Sequence, residues 1–259
     1  MNLQQKNKKM DSINTFSSKE FPAKIAALIQ KVNKSLGQLH QYSSDDFVPV
    51  NKIFKNYYDQ SKNVDPVVEE KPEFKVYKEV IGKIITDLQF HDIIRQKLEH
   101  IENINNLLIE ELNIRVKDMS YDSEFIAVIP DICKVNEAQL VMINEEYQST
   151  ICKLRINLEN MENYIAKATS VSLNLSNSFS QSANFNKLYR EIISSLTHIA
   201  SFISDDEKWT EQGRIDAINK IGSMYTMQSE RAVFSKIFLS SVSLEADNAI
   251  NGEDDIEFF

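Results

Sequence analysis

Between Pro72 and about residue 112 the chain offers one glycine, Gly82, and no second proline, while Tyr77, Val80, Ile81, Ile84, Leu88, Leu98, Ile101, Leu108 and Leu112 recur three and four positions apart. That spacing predicts a single helix of about forty residues, about 60 Å long at 1.5 Å per residue, with Pro72 suited to its first turn. So long an apolar stripe stays out of water only if a partner covers it from end to end, as in bundles and coiled coils. After a break at residues 117–122 a second long pattern runs through Phe125, Ile129, Ile132, Val135, Leu140, Ile143, Tyr147, Ile151, Leu154, Leu158, Met161 and Ile165. Pro130, near its start, either kinks this helix or marks its true first turn. Two long helices joined by a short turn read as an antiparallel hairpin over residues 72–168.

Composition supports an all-α fold. Five Gly and five Pro in 259 residues leave little material for the turns of a many-stranded sheet or for Gly-rich phosphate loops. With 38 acids against 29 bases the net charge is −9, which argues against a nucleic-acid partner. No apolar run approaches the roughly 20 residues that span a bilayer, and the first residues, MNLQQKNKKMDSIN, lack the apolar core of a signal peptide. No membrane span and a cytoplasmic location are therefore expected. Cys133 and Cys152 lie on one expected helix about 28 Å apart, too far to pair, and read as small buried apolar residues.

The rest of the chain divides by pattern. Residues 1–18 are polar and aperiodic and read as a disordered arm. Residues 19–62 read as N-terminal helices. One starts near Pro22, carries Ile25, Leu28, Ile29, Val32, Leu36 and Leu39, and ends around residues 42–45. A shorter one over residues 50–61 carries Ile53, Phe54 and Tyr57. A connector covers residues 63–72. The Ser-rich residues 169–184 are either a linker or a helix continuation. C-terminal helices are expected within 185–240, at residues 185–202, 210–224 and 228–239. Residues 241–259 read as a flexible acidic tail with six acids and no base. The tail either keeps the chain solvated or binds a partner. Its apolar tip, Ile256-Glu257-Phe258-Phe259, favours the second, because exposed terminal aromatics cost solubility.

Most catalytic signatures are missing: there is no GxSxG, Walker A, GxGxxG, HExxH or CxxC. His40, His91, His100 and His198 are scattered, and His91 and His100 fall on opposite faces of their helix, so no metal site is implied. The informative stretch is residues 87–96, DLQFHDIIRQ. At 100° per residue Asp92 and Gln96 lie about 40° apart and one turn from each other, with Gln89 in the same patch. His91 and Arg95 stand where the stripe expects Leu or Ile. Such a polar interruption is either a register-setting layer beside a solvated face or a site.

Phe90-His91-Asp92 followed by Gln96 resembles the FQDxxxQ signature of the CheZ-type chemotaxis phosphatases. The wider run from Leu88 to His100 resembles the LQFQDxxRQxLEH segment of helical chemotaxis-associated proteins. His91 stands where the family has Gln, and Arg95 where its best-known members have a small residue. The resemblance implies a long hairpin that pairs with a second copy into a dimeric four-helix bundle. It also implies removal of phosphate from the aspartyl phosphate of a CheY-like receiver. In that scheme Gln96 orients the attacking water and Asp92 pairs with the receiver's lysine. Gln89 and Glu99 are candidates to line the contact, while His91 either lines it or faces the bundle as a hydrogen-bonded core histidine. The tail, through Asp254, Asp255, Ile256, Phe258 and Phe259, would tether the receiver. This chain would need no cofactor or metal of its own, since Mg²⁺ belongs to the receiver. The competing reading is a non-catalytic helical scaffold that docks a receiver or receptor helices with the same patch.

Overall fold

The computed structural model describes residues 20–61, 72–118, 123–169, 179–203, 221–223 and 225–238. Regular structure among them is helical: α1 (Glu20–Ser61), α2 (Pro72–Asp118), α3 (Ser123–Thr169), α4 (Ser182–Phe202) and α5 (Gln228–Phe238). The arm at 1–18, the Ser-rich residues 170–178, the greater part of the helix expected at 210–224, and the tail at 241–259 lie outside the described residues.

The four longer helices pack in a ring, α1 on α2, α2 on α3, α3 on α4 and α4 back on α1, with α5 laid against α3. All four contribute to one core. Ile25, Ile29, Leu36 and Leu39 come from α1, Ile84, Ile94, Leu98 and Ile101 from α2, Ile132, Leu140 and Ile143 from α3, and Phe185, Ile192 and Ile199 from α4. The apolar stripes of α2 and α3 are thus covered within the chain by α1 and α4.

The N-terminal region differs from the expected two pieces: α1 runs unbroken through residues 42–50, with Pro49 inside it. Proline removes one backbone hydrogen bond and crowds the preceding turn, a cost of about 3 kcal/mol. Here the flanking turns are anchored by burial. Phe47, Val50 and Phe54 continue the stripe of Leu36 and Leu39 into the core. Asp46, also buried, accepts the Tyr147 hydroxyl at 2.5 Å and the Gln181 backbone N–H at 2.9 Å, which ties α1 to α3 and to the start of α4. Pro130 likewise sits within α3, past its first turn.

Polar side chains cross the core at discrete levels. Asn136 on α3 donates to Asn105 on α2 at 3.0 Å, and Asn105 donates to Asn33 on α1 at 2.8 Å. Asn157 on α3 donates to Asp87 on α2 at 2.9 Å. Each bond is satisfied at one axial register only, so these levels fix how the helices slide past one another.

The outward face of α2 as candidate functional site

Two neighbours cover the flanks of α2, α1 on one side and α3 on the other, and the turns between them look outward. Gln89, Asp92 and Gln96 fall on that open face and all three are exposed, the Asp92 side chain to 70%. The helix therefore presents a carboxylate and two amides to solvent within two turns, on a backbone held rigid by the core beneath. An amide both donates and accepts hydrogen bonds at any physiological pH, which suits it to orient a water beside an anion.

Arg95 lies on the flank toward α1 and links the two acids around it. Its Nη1 donates to Glu99 Oε1 at 2.7 Å, and its Nε is 3.7 Å from Asp92 Oδ1. Glu99 is thus engaged by Arg95, at the edge of the open face.

His91 belongs to the α1–α2 interface. Its ring stacks on Phe47 with centroids 5.2 Å apart and 27° between planes, and Nε2 is 3.5 Å from Ser44 Oγ. Burial pushes its pKa below the ordinary imidazole value. The Asp92 carboxylate opposes that shift, and His40 and Arg95 add to it. A half-buried ring stacked on an aromatic favours the neutral form, so His91 acts as a packing residue with one polar edge.

Sequence periodicity passed over Ile94, which fills the core between His91 and Leu98, so the stripe narrows here without breaking. It also passed over two long-range pairs that flank Gln96. Lys97 turns inward, only 3% exposed, and places Nζ 2.7 and 2.8 Å from the two carboxylate oxygens of Glu146 on α3. One turn beyond Gln96, His100 Nδ1 lies 2.9 and 2.8 Å from the two carboxylate oxygens of Glu230, which is fully buried at the start of α5. The Met227 backbone N–H also donates to Glu230, at 3.3 Å. Partners separated by 49 and 130 residues leave no local pattern. The one signal was a set of charged residues at inward positions of a helical stripe.

Of the two cysteines, Cys133 is buried as expected and Cys152 is exposed, which corrects the reading of both as core residues: Cys152 falls on the outer side of α3, one residue past the inward Ile151. Burial pushes the Cys133 thiol up to about 12, so it is inert.

Among the described residues no group of His, Cys, Asp and Glu is arranged to hold a metal ion, and no helix is long and apolar enough to cross a membrane. Asp254, Asp255, Ile256, Phe258 and Phe259 lie outside the described residues. Comparison with protein-family models, with curated proteins and with solved structures gave no match to the chain.

Proposed function

We propose that the chain is a protein phosphatase that accelerates loss of phosphate from the aspartyl phosphate of a CheY-like receiver, using the open face of α2. The observation that carries this reading is the pairing of Asp92 and Gln96 one turn apart, both exposed, midway along a helix whose opposite side is locked into a core.

The chemistry asks little of this chain. A receiver already neutralises the phosphoryl oxygens with its own lysine and Mg²⁺, so the missing element is a water held in line with the bond to be broken. Gln96 would bind that water and a phosphoryl oxygen together. The water oxygen attacks phosphorus, the bond from phosphorus to the receiver's carboxyl oxygen breaks, and the products are inorganic phosphate and the free aspartate. Asp92 would pair with the receiver's lysine and set the register of docking. The acidic tail would raise the local receiver concentration by tethering it. In this reading the protein works as a dimer through the 72–168 hairpin, in the cytoplasm with its receiver.

A non-catalytic docking role for the same face is the second reading, and the Arg95 guanidinium 3.7 Å from Asp92 favours it, because Asp92 then has a cation of its own. Phosphate release from phosphorylated receivers of the same genome separates the two. The phosphatase reading expects acceleration by the wild type and loss of about 10²–10³ of it in Gln96→Ala, with receiver affinity kept. Binding without any acceleration would replace it with the docking reading.

A further inference from the structure

Helix α5 and the turn that leads into it stand apart from the bundle they cap. The ring of α1 to α4 closes without them, and α5 packs chiefly on α3. Their aromatic rings form a row of their own: Phe234 has its centroid 5.3 Å from Tyr225 and 4.7 Å from Phe238, and all three are buried. A Cβ at Gly222 would stand 3.0 Å from Phe234 Cε1, so the bare backbone there lets the turn close on the ring.

The seat beneath this row is polar. Glu230 has no exposed surface, and its two carboxylate oxygens lie 2.9 and 2.8 Å from His100 Nδ1, while the Met227 backbone N–H donates to it at 3.3 Å. The His100 side chain keeps 20% of its surface in water, so solvent reaches the outer edge of the pair. Beside it, Gln139 of α3 is wholly buried and faces the Tyr225 hydroxyl. Neither amide atom of Gln139 nor that hydroxyl completes a hydrogen bond. Buried polar atoms without partners cost stability that contact with water returns. Opening the seat therefore gives up the burial of the aromatic row but hydrates three atoms that the closed arrangement leaves unsatisfied.

We infer that α5 is a latch: it leaves α3 and reseats as one unit with its lead-in turn while the four-helix ring stays folded, and the His100–Glu230 pair is the catch. An eleven-residue helix is too short to persist away from a surface, so α5 is either seated and helical or released and unfolded. An element held by few buried contacts opens at a free energy well below that of global unfolding. Release bares His100 on α2, one turn from Gln96, together with the Gln139 amide on α3, and so changes what the bundle presents to a partner. The latch is independent of which partner the α2 face takes.

Native-state hydrogen exchange on the full-length chain tests this by comparing the amides of α5 with those of Ile143 and Tyr147, which are buried in α3. In the wild type the α5 amides are expected to exchange at least a hundredfold faster, at a rate that low urea barely changes. Glu230→Gln and His100→Gln, which weaken the catch from either side, should each speed α5 exchange at least tenfold and leave the α3 amides within twofold. Gln139→Leu/Tyr225→Phe removes the unpaired atoms without touching the catch and should slow α5 exchange severalfold. Exchange of α5 together with α3 in the wild type would overturn the inference. So would catch variants that speed both sets alike, leave α5 at its wild-type rate or fail to fold. A Gln139→Leu/Tyr225→Phe chain whose α5 exchanges no more slowly than the wild type would equally count against it.

Discussion

Lys97 and Glu146 form an inward-facing ion pair across α2 and α3, with Nζ 2.7 Å from Oε2, directly behind the exposed Gln96. The lysine is almost wholly buried while the carboxylate is 29% exposed, so the two partners are unequal. Removing the carboxylate strands a buried ammonium, whereas removing both leaves an apolar seam. Glu146→Gln is expected to cost about 3 kcal/mol in urea denaturation, at the low end for a buried pair, and Lys97→Met/Glu146→Leu should recover most of it. Equal losses in the single and double variants would show that the pair does not act as a unit.

His91 makes stability depend on pH in a defined direction. Its pKa is lowered in the folded chain, chiefly by burial, so the native state binds fewer protons than the unfolded chain. Its contribution is complete above the unfolded value of about 6.5 and is lost as pH falls through the lower folded value. Melting temperatures at pH 7.5 and 5.5 should therefore differ more for the wild type than for His91→Gln. Asp46 and Asp87, whose carboxyls burial raises, act in the opposite sense.

The two thiols should separate cleanly. Cys133 is buried with its pKa pushed up to about 12, whereas Cys152 is exposed on the same helix. An aromatic disulfide reagent at neutral pH is expected to modify one thiol per chain in the native protein and two in denaturant, and Cys152→Ser should abolish the native reaction. Native labelling of Cys133 would show that α3 opens locally.

Phe185 tests whether α4 is integral to the core. Its ring stacks on Tyr147 at 3.8 Å and 15°, fully buried at the level where Tyr147 bonds Asp46. Phe185→Ala should cost about 3–5 kcal/mol. A loss below about 1 kcal/mol would mean that α2 and α3 keep their core without α4.

The two long helices were legible because each repeats one rule for more than ten turns, and apolar spacing is a local property that Tyr77, Ile84, Leu98 and Leu112 display without reference to the rest of the chain. The exposure of Asp92 and Gln96 followed from the same geometry, since residues 40° apart on one helix share a face whatever packs behind them. The continuity of α1 was not legible. The polar run at residues 42–45 is a local reason to expect a break there, and the helix continues through it and past Pro49 because Phe47 and Asp46 find partners on other helices.

Sequence alone therefore determined the helical class, the hairpin and the polar interruption at residues 87–96, because each depends on spacing along one helix. Tertiary structure decided which helices cover the hairpin, that Lys97 turns inward to Glu146, and that Glu230 ties α5 to His100. Those outcomes join residues 49 and 130 positions apart, and such pairings are selected by the shared exclusion of water in the assembled core, which no local pattern encodes.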